Sequence, residues 1–251
     1  MRIENSFIPV RGVGERTERT LWANGVTHWD EFDGQVVGPT VADRIESFID
    51  EAWTHLDAGK FEYFAESLPA ASCWRLYENA RDETCFLDIE TTGLDATAHD
   101  VTTVSVHRGG ETKTFIQGRD LTCDRLTAEL ENSSLLVTFN GRRFDVPFLE
   151  TCYDVDVSIA HVDLMYPCRT LGLDGGLKRI ERDVGIERDR PDLSGRDAVR
   201  LWHQYERGDD GALETLVEYN RADTRNLETL MDLVADRLHD RVFASVATER
   251  E

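Results

Sequence analysis

Residues 84–90 read TCFLDIE, a short apolar run with two carboxylates set into it. A strand sends successive side chains to opposite faces, so Asp88 and Glu90 share one face. The flanking Phe86, Leu87 and Ile89 predict burial on both faces. Two carboxylates side by side in such a strand are costly through desolvation and mutual repulsion. A divalent metal ion removes that cost. The plainer alternative is a strand whose outer face is solvated.

The segments that follow extend the pattern. DVTTVSVHRGGETKTFIQG (100–118) reads as two strands with Gly109-Gly110 at the turn, a hairpin signal. SLLVTFN (134–140) reads as a buried strand, FDVPFLETCY (144–153) as a short helix, and HVDLMYP (161–167) as a last strand. LKRIERDVGI and a stretch from about 211 to 240 read as helices. Strands first paired, then alternating with helices, predict an α/β layer fold with a mixed sheet.

Residues 1–82 read as a separate helical region, and residues 83–241 as the α/β domain. Val41, Ile45, Phe48, Ile49, Ala52, Trp53 and Leu56 recur at helical spacing. Thr40 with Asp43 predicts a capping box, and Gly59 a helix end. CWRLYENA places Trp74 and Tyr77 three apart, ready to dock on the domain that follows.

Composition bears on the setting. The chain of 251 residues carries 49 Asp+Glu against 28 Lys+Arg, a formal charge of −21. Only Lys60, Lys113 and Lys178 are lysines. Acids spread along a lysine-poor chain suggest a protein of a salt-rich interior, where screening relieves their repulsion. An acidic partner for a basic protein is the rival reading. No apolar run approaches the ~18 residues of a membrane span, and the first residues lack a secretory apolar core. A cytoplasmic protein without membrane contact is expected. Cys73, Cys85, Cys123, Cys152 and Cys168 are odd in number and form no C-x-x-C pair, which predicts reduced, mostly buried thiols.

Two more stretches carry carboxylates. In NGRRFDVPFL (140–149), Asn140 ends a strand and Asp145 opens a helix, where an acid also serves as an ordinary dipole partner. In EYNRADTRNL (218–227), Tyr219 and Asp223 lie four apart on one helix face. Taken together, FLDIETTGL, NGRRFD and YNRAD resemble the three motifs of the DnaQ-like, or DEDD, 3′–5′ exonuclease superfamily in its tyrosine form. Glu218 stands where the histidine form would have His. CWRLYENARDETCFLDIETTGL, HVDLMYP, LKRIERDVGI and EYNRADTRNL follow the order of its YprB-type branch, over roughly residues 72–235.

The resemblance implies an RNase H-like fold: a five-stranded mixed sheet, its first three strands antiparallel, with helices on both faces. It implies a site at the carboxyl end of the first strand holding two Mg2+ or Mn2+ ions. Asp88 would bridge them, Glu90 and Asp223 would complete the ion that activates water, and Asp145 would hold the other. Tyr219 would orient the attacking water. The expected substrate is single-stranded nucleic acid or a 3′ end. Asn140, Arg142, Arg143 and Lys178 are candidate substrate contacts, with Arg179 and Arg182 grouped beside Lys178. His161 reads as structural and Asp163 as a supporting acid.

VRGVGERTERTLWANGVTHWDEF (10–32) resembles the hairpin and second helix of a helix-hairpin-helix element, which makes Gly12 and Gly14 candidates for a phosphate contact. SFIPV is too short for a full first helix, and Glu15 and Glu18 disfavour an anion. Two rivals to the exonuclease reading stand: a non-catalytic nucleic-acid-binding module retaining the fold, and an acidic interaction protein without metal. The sequence leaves DNA against RNA open, and exonuclease against endonuclease action.

Overall fold

The computed structural model describes residues 1–247. Five strands form one sheet: β1 (Thr84–Thr91), β2 (Val101–Arg108), β3 (Glu111–Ile116), β4 (Leu135–Thr138) and β5 (Ala160–Asp163). Their order is β3-β2-β1-β4-β5. β1 pairs antiparallel with β2, and β2 with β3, while β1, β4 and β5 run parallel. This is the mixed RNase H-like sheet expected above. The β2–β3 turn places Gly109 at φ 57° and Gly110 at φ 80°. Both are left-handed, the geometry a two-residue hairpin demands and glycine supplies without strain.

The helices are α1 (Glu15–Ala23), α2 (Pro39–Asp57), α3 (Glu62–Ser67) and α4 (Tyr77–Ala80) before the sheet. After β3 come α5 (Cys123–Glu131), α6 (Asp145–Tyr153), α7 (Met165–Thr170), α8 (Leu177–Val184), α9 (Gly195–Glu206), α10 (Asp210–His239) and α11 (Ser245–Ala247). The alternation of β1 divides them. Cys85, Leu87 and Ile89 pack with Leu126 and Leu130 of α5 and Phe148 and Leu149 of α6. On the other face Phe86 packs with Leu227, Leu230 and Met231 of α10. Asp88 and Glu90 continue the Phe86 side, toward α10.

The N-terminal helices pack into the same cluster as Phe86 and α10. Trp29 sits at their centre, with ring centroids of Trp53, Phe48 and Phe64 at 5.3, 5.5 and 6.1 Å. Tyr77 makes the expected docking contact. Its ring stands 6.4 Å from Phe86, and its hydroxyl donates to Asp232 Oδ1 of α10 at 2.8 Å. Trp74 is also buried, with the Arg75 guanidinium 5.7 Å from its ring. Trp22 of α1 meets Phe243, which follows α10, edge-on at 5.1 Å.

Two local expectations change. α2 has no capping box: Gly38 is its N-cap and Pro39 its first residue, so a fixed φ starts the helix in place of a side-chain bond. Gly59, at φ 65°, does follow its end. The last strand stops at Asp163, and Leu164–Pro167 turn into α7 because Asp163 caps the turn, accepting from the Met165 amide at 3.1 Å. At the N-terminus a single turn, Ile3–Asn5, stands where a helix-hairpin-helix needs its first helix. Glu18 is buried there, accepting from Arg75 Nη1 at 2.7 Å and from the Phe7 amide at 2.8 Å.

The five cysteines are free, with Cys73, Cys85 and Cys168 buried. Among the described residues no helix is long and apolar enough to cross a membrane.

Candidate active site

β1 delivers Asp88 and Glu90 opposite Ser105 and Thr103 of β2, and its pairing slips by one residue directly after Glu90. Bulges of this kind re-aim side chains at the rim of a sheet. α10 crosses this face and delivers Asp223. Asp88, Glu90 and Asp223 each place one carboxylate oxygen within 4.8 Å of the others. Glu90 and Asp223 are buried, and Asp88 is partly buried. Three hard oxygen donors at this separation suit a divalent cation.

Electrostatics describe the strain in that cluster. Burial pushes the Asp88 carboxyl up to about 7, against the hydrogen bond from Asn220 and the charge of Arg188. Glu90 is raised well above the ordinary carboxylate range by burial, then by Asp88. Asp145, at the first position of α6 and 4% exposed, is raised by burial and then by Asp88. Asp145 thus stands within electrostatic reach but outside the group of three.

Tyr219 is one turn before Asp223 on α10 and 4% exposed. Burial raises its phenol pKa, and Glu90 and Asp88 raise it further. The phenol keeps its proton and is a donor. Lys178 Nζ lies 4.7 Å from the Tyr219 ring centroid and donates to the Leu193 carbonyl. Burial, then Arg188, lower the Lys178 pKa. The basic group expected around Lys178 divides, because α8 turns Lys178 inward and leaves Arg179 and Arg182 63% and 77% exposed.

The loop from β4 to α6 is held by one acid. Asp163 accepts from the backbone amides of Asn140 at 2.7 Å and Arg142 at 3.2 Å, besides Met165. Asn140 adopts φ 63°. A Cβ on Gly141 would lie 2.2 Å from Thr138 Oγ1. Arg142 donates to the His161 carbonyl at 2.7 Å, and Arg143 is exposed. His161 Nε2 meets Thr138 Oγ1 at 2.8 Å, and burial lowers its pKa to about 3. Gly12 and Gly14 lie in the N-terminal region, where Gly14 is the N-cap of α1 and Gly12 takes φ 95°.

Four site residues escaped the sequence reading. Asn220 Nδ2 donates to Asp88 Oδ2 at 2.7 Å, and its Oδ1 accepts from Thr103 Oγ1 at 3.0 Å. Arg188 bridges Asp223 and the fully buried Glu181. Asn226 Nδ2 completes the Glu181 carboxylate at 3.0 Å. Asn220 sits inside YNRAD, and an asparagine in a helix interior is itself a signal of a specific bond. Arg188 lies in an irregular loop with no period to flag it.

Residues 85–235 match a family model described as RNase_H superfamily. No curated protein matches. Among solved structures, the family B DNA polymerase of the hyperthermophilic archaeon Pyrobaculum calidifontis is 21% identical with a TM-score of 0.49. That match covers 62% of this chain and 24% of the polymerase, so the chain spans about a quarter of the polymerase's length. A structure described as the apo form of the nuclease is 20% identical over 66% of this chain and 79% of its own, with a TM-score of 0.47. Brucella melitensis NrnC is 18% identical over 68% of this chain and 81% of its own, with a TM-score of 0.46.

Proposed function

Since the chain belongs to the RNase H superfamily, we propose that it is a metal-dependent 3′–5′ exonuclease of the tyrosine DEDD kind, YprB branch, acting on single-stranded nucleic acid. The observation that carries this reading is the meeting of Asp88 and Glu90 from β1 with Asp223 from α10, beside Tyr219. Asp88, Glu90 and Asp223 would hold one divalent ion, Mg2+ or Mn2+, and Asp145 with Asp88 a second. Bound there, the pair would supply the positive charge that activates a water and steadies the leaving oxygen.

The chain's own residues do the rest. Tyr219, protonated throughout, donates its hydroxyl hydrogen and fixes the line along which a water approaches the phosphorus. Asn220 holds one oxygen of Asp88, so the other stays aimed at the ion. Lys178 brings positive charge to the same side as Tyr219. The N-terminal region serves as an accessory module, and Arg142 and Arg143 flank the second motif as substrate contacts.

The test uses 3′-labelled and 5′-labelled single strands of DNA and RNA, with manganese in high potassium chloride. Stepwise release of nucleoside monophosphates from the 3′ end is expected, and its loss in Asp88→Asn with an unchanged circular dichroism spectrum. Asp88→Asn that degrades the strand at the wild-type rate overturns the site. Strand binding without product at any metal concentration gives the non-catalytic module instead.

A further inference from the structure

Beyond the carboxylates, a groove of about 400 Å³ opens along Tyr219, and four arginines line it: Arg188, Arg190, Arg221 and Arg225. On a chain with a formal charge of −21, this concentration of guanidinium groups needs an account. Arg221 and Arg225 lie four apart on one face of α10, roughly opposite the face carrying Tyr219 and Asp223, and the groove runs round the flank of the helix to the edge of Tyr219. Arg188 and Arg190 come from the loop between α8 and α9.

These arginines have donors to spare. The Arg188 side chain is 8% exposed, its two terminal nitrogens are paired with Glu181 and Asp223, and its Nε alone has no hydrogen-bond partner among the described residues. Arg221 Nε is likewise buried and unpartnered, although Arg221 Nη2 donates to the Thr112 carbonyl at 2.6 Å. A buried N–H without an acceptor is costly, and native structures keep few of them. The rim pairs are loosely held. Arg225 is 3.9 Å from Asp189, with side chains 52% and 84% exposed. Arg190 pairs with Asp192 at 3.0 Å, 43% and 64% exposed. Exposed pairs of this sort contribute little and exchange partners at small cost.

We propose that this groove is a phosphate subsite, holding one backbone phosphodiester of the strand next to the bond that is cut. Arg188 stays clamped between Glu181 and Asp223 and lends its positive charge to the groove wall, a modest turn of the Arg221 guanidinium gives its Nε–H the anionic oxygen it lacks, and Arg190 and Arg225 close on the same group from the rim. Guanidinium matches phosphate in a forked, charge-assisted geometry. Asp189 and Glu218 share the lining, so the groove takes a single phosphate and repels a longer polyanion. The inference rests on the nuclease reading for what lies in the groove.

The test measures binding without cleavage. A fluorescent single-stranded tetranucleotide is titrated in EDTA across a potassium chloride series, with the wild type and with the double variant Arg190→Gln, Arg225→Gln. Affinity should fall about tenfold or more, and the slope of log K against log salt should drop by about one. A strand with one neutral methylphosphonate beside the terminal linkage should cost the wild type the same loss and leave the double variant indifferent. Equal affinity and slope in both proteins, or equal sensitivity to the neutral linkage, overturns the subsite. Competition by inorganic phosphate as strong as by the strand also overturns it, in favour of a free-anion site. The two readings fail separately: a wild type that binds as described but never cleaves with manganese removes the nuclease and keeps the subsite.

Discussion

Tyr219 and His161 show how burial fixes the job of a single side chain. Tyr219 is held neutral by burial and by two carboxylates, so in the proposed mechanism its hydroxyl would position a water and not deprotonate it. Tyr219→Phe should leave manganese binding by calorimetry nearly unchanged and slow turnover roughly 10- to 1,000-fold, the range of one positioning group. Unchanged turnover would make Tyr219 a core residue only. His161 is neutral in the fold, its pKa lowered from 6.5 to about 3 by burial and then by Arg142. The unfolded chain binds the extra proton, so this contribution is whole above pH 6.5 and drains away as pH falls toward 3. Between pH 6.5 and 5 the loss should be about 2 kcal/mol. Urea midpoints of wild type and His161→Gln should therefore converge on acidification, with the carboxylate effects common to both. Parallel curves would refute the buried neutral ring. β alternation paired Asp88 with Glu90 and helical spacing paired Tyr219 with Asp223, but the set of carboxylates as a whole was legible only through the resemblance of three motifs to a family. Asn220 and Arg188 were not, because their roles depend on which surfaces α10 and the α8–α9 loop meet.

The β2–β3 hairpin and the end of β5 were read from sequence with unequal success for a physical reason. The β2–β3 hairpin announced itself because its turn chemistry is local, two glycines at left-handed φ. The end of β5 did not, because Leu164–Pro167 is as apolar as a strand, and no periodicity announces that Asp163 accepts from the Met165 amide and starts a helical turn there. The β4–α6 loop is tight. A methyl at residue 141 would collide with the Thr138 side chain, and Asn140 before it already sits in the left-handed region. Gly141→Ala should destabilise the protein by about 1–3 kcal/mol, the scale of overpacking. It should also lower cleavage beyond the loss of folded protein, since the same loop leads into Asp145. A thermal melt paired with turnover per folded molecule checks both halves. A normal melting temperature would mean the loop yields more easily than its contacts imply.

For the whole chain, charge and connectivity set the behaviour. With −21 spread over its surface, self-repulsion is long-ranged in dilute buffer and screened within about 3 Å at molar salt. The melting temperature should rise steadily from 0.05 to 2 M potassium chloride, and cleavage should persist in molar salt, followed by circular dichroism and product release. Cleavage that dies by about 0.3 M along the counterion-release slope, with full folding in dilute buffer, would refute the salt-adapted reading. The charge was plain from composition and the docking of Tyr77 was expected, whereas its partner Asp232 and the meeting of Trp22 with Phe243 were not legible, because these are contacts over more than 150 positions. That connectivity has a temporal side. A ribosome adds roughly 5–20 residues per second, so the first eighty residues wait about 8 to 30 s for the segment of α10 they pack against. Nascent chains stalled before α10 should present Phe86 and Trp22 to holdase chaperones, and release should follow once the final helix clears the exit tunnel.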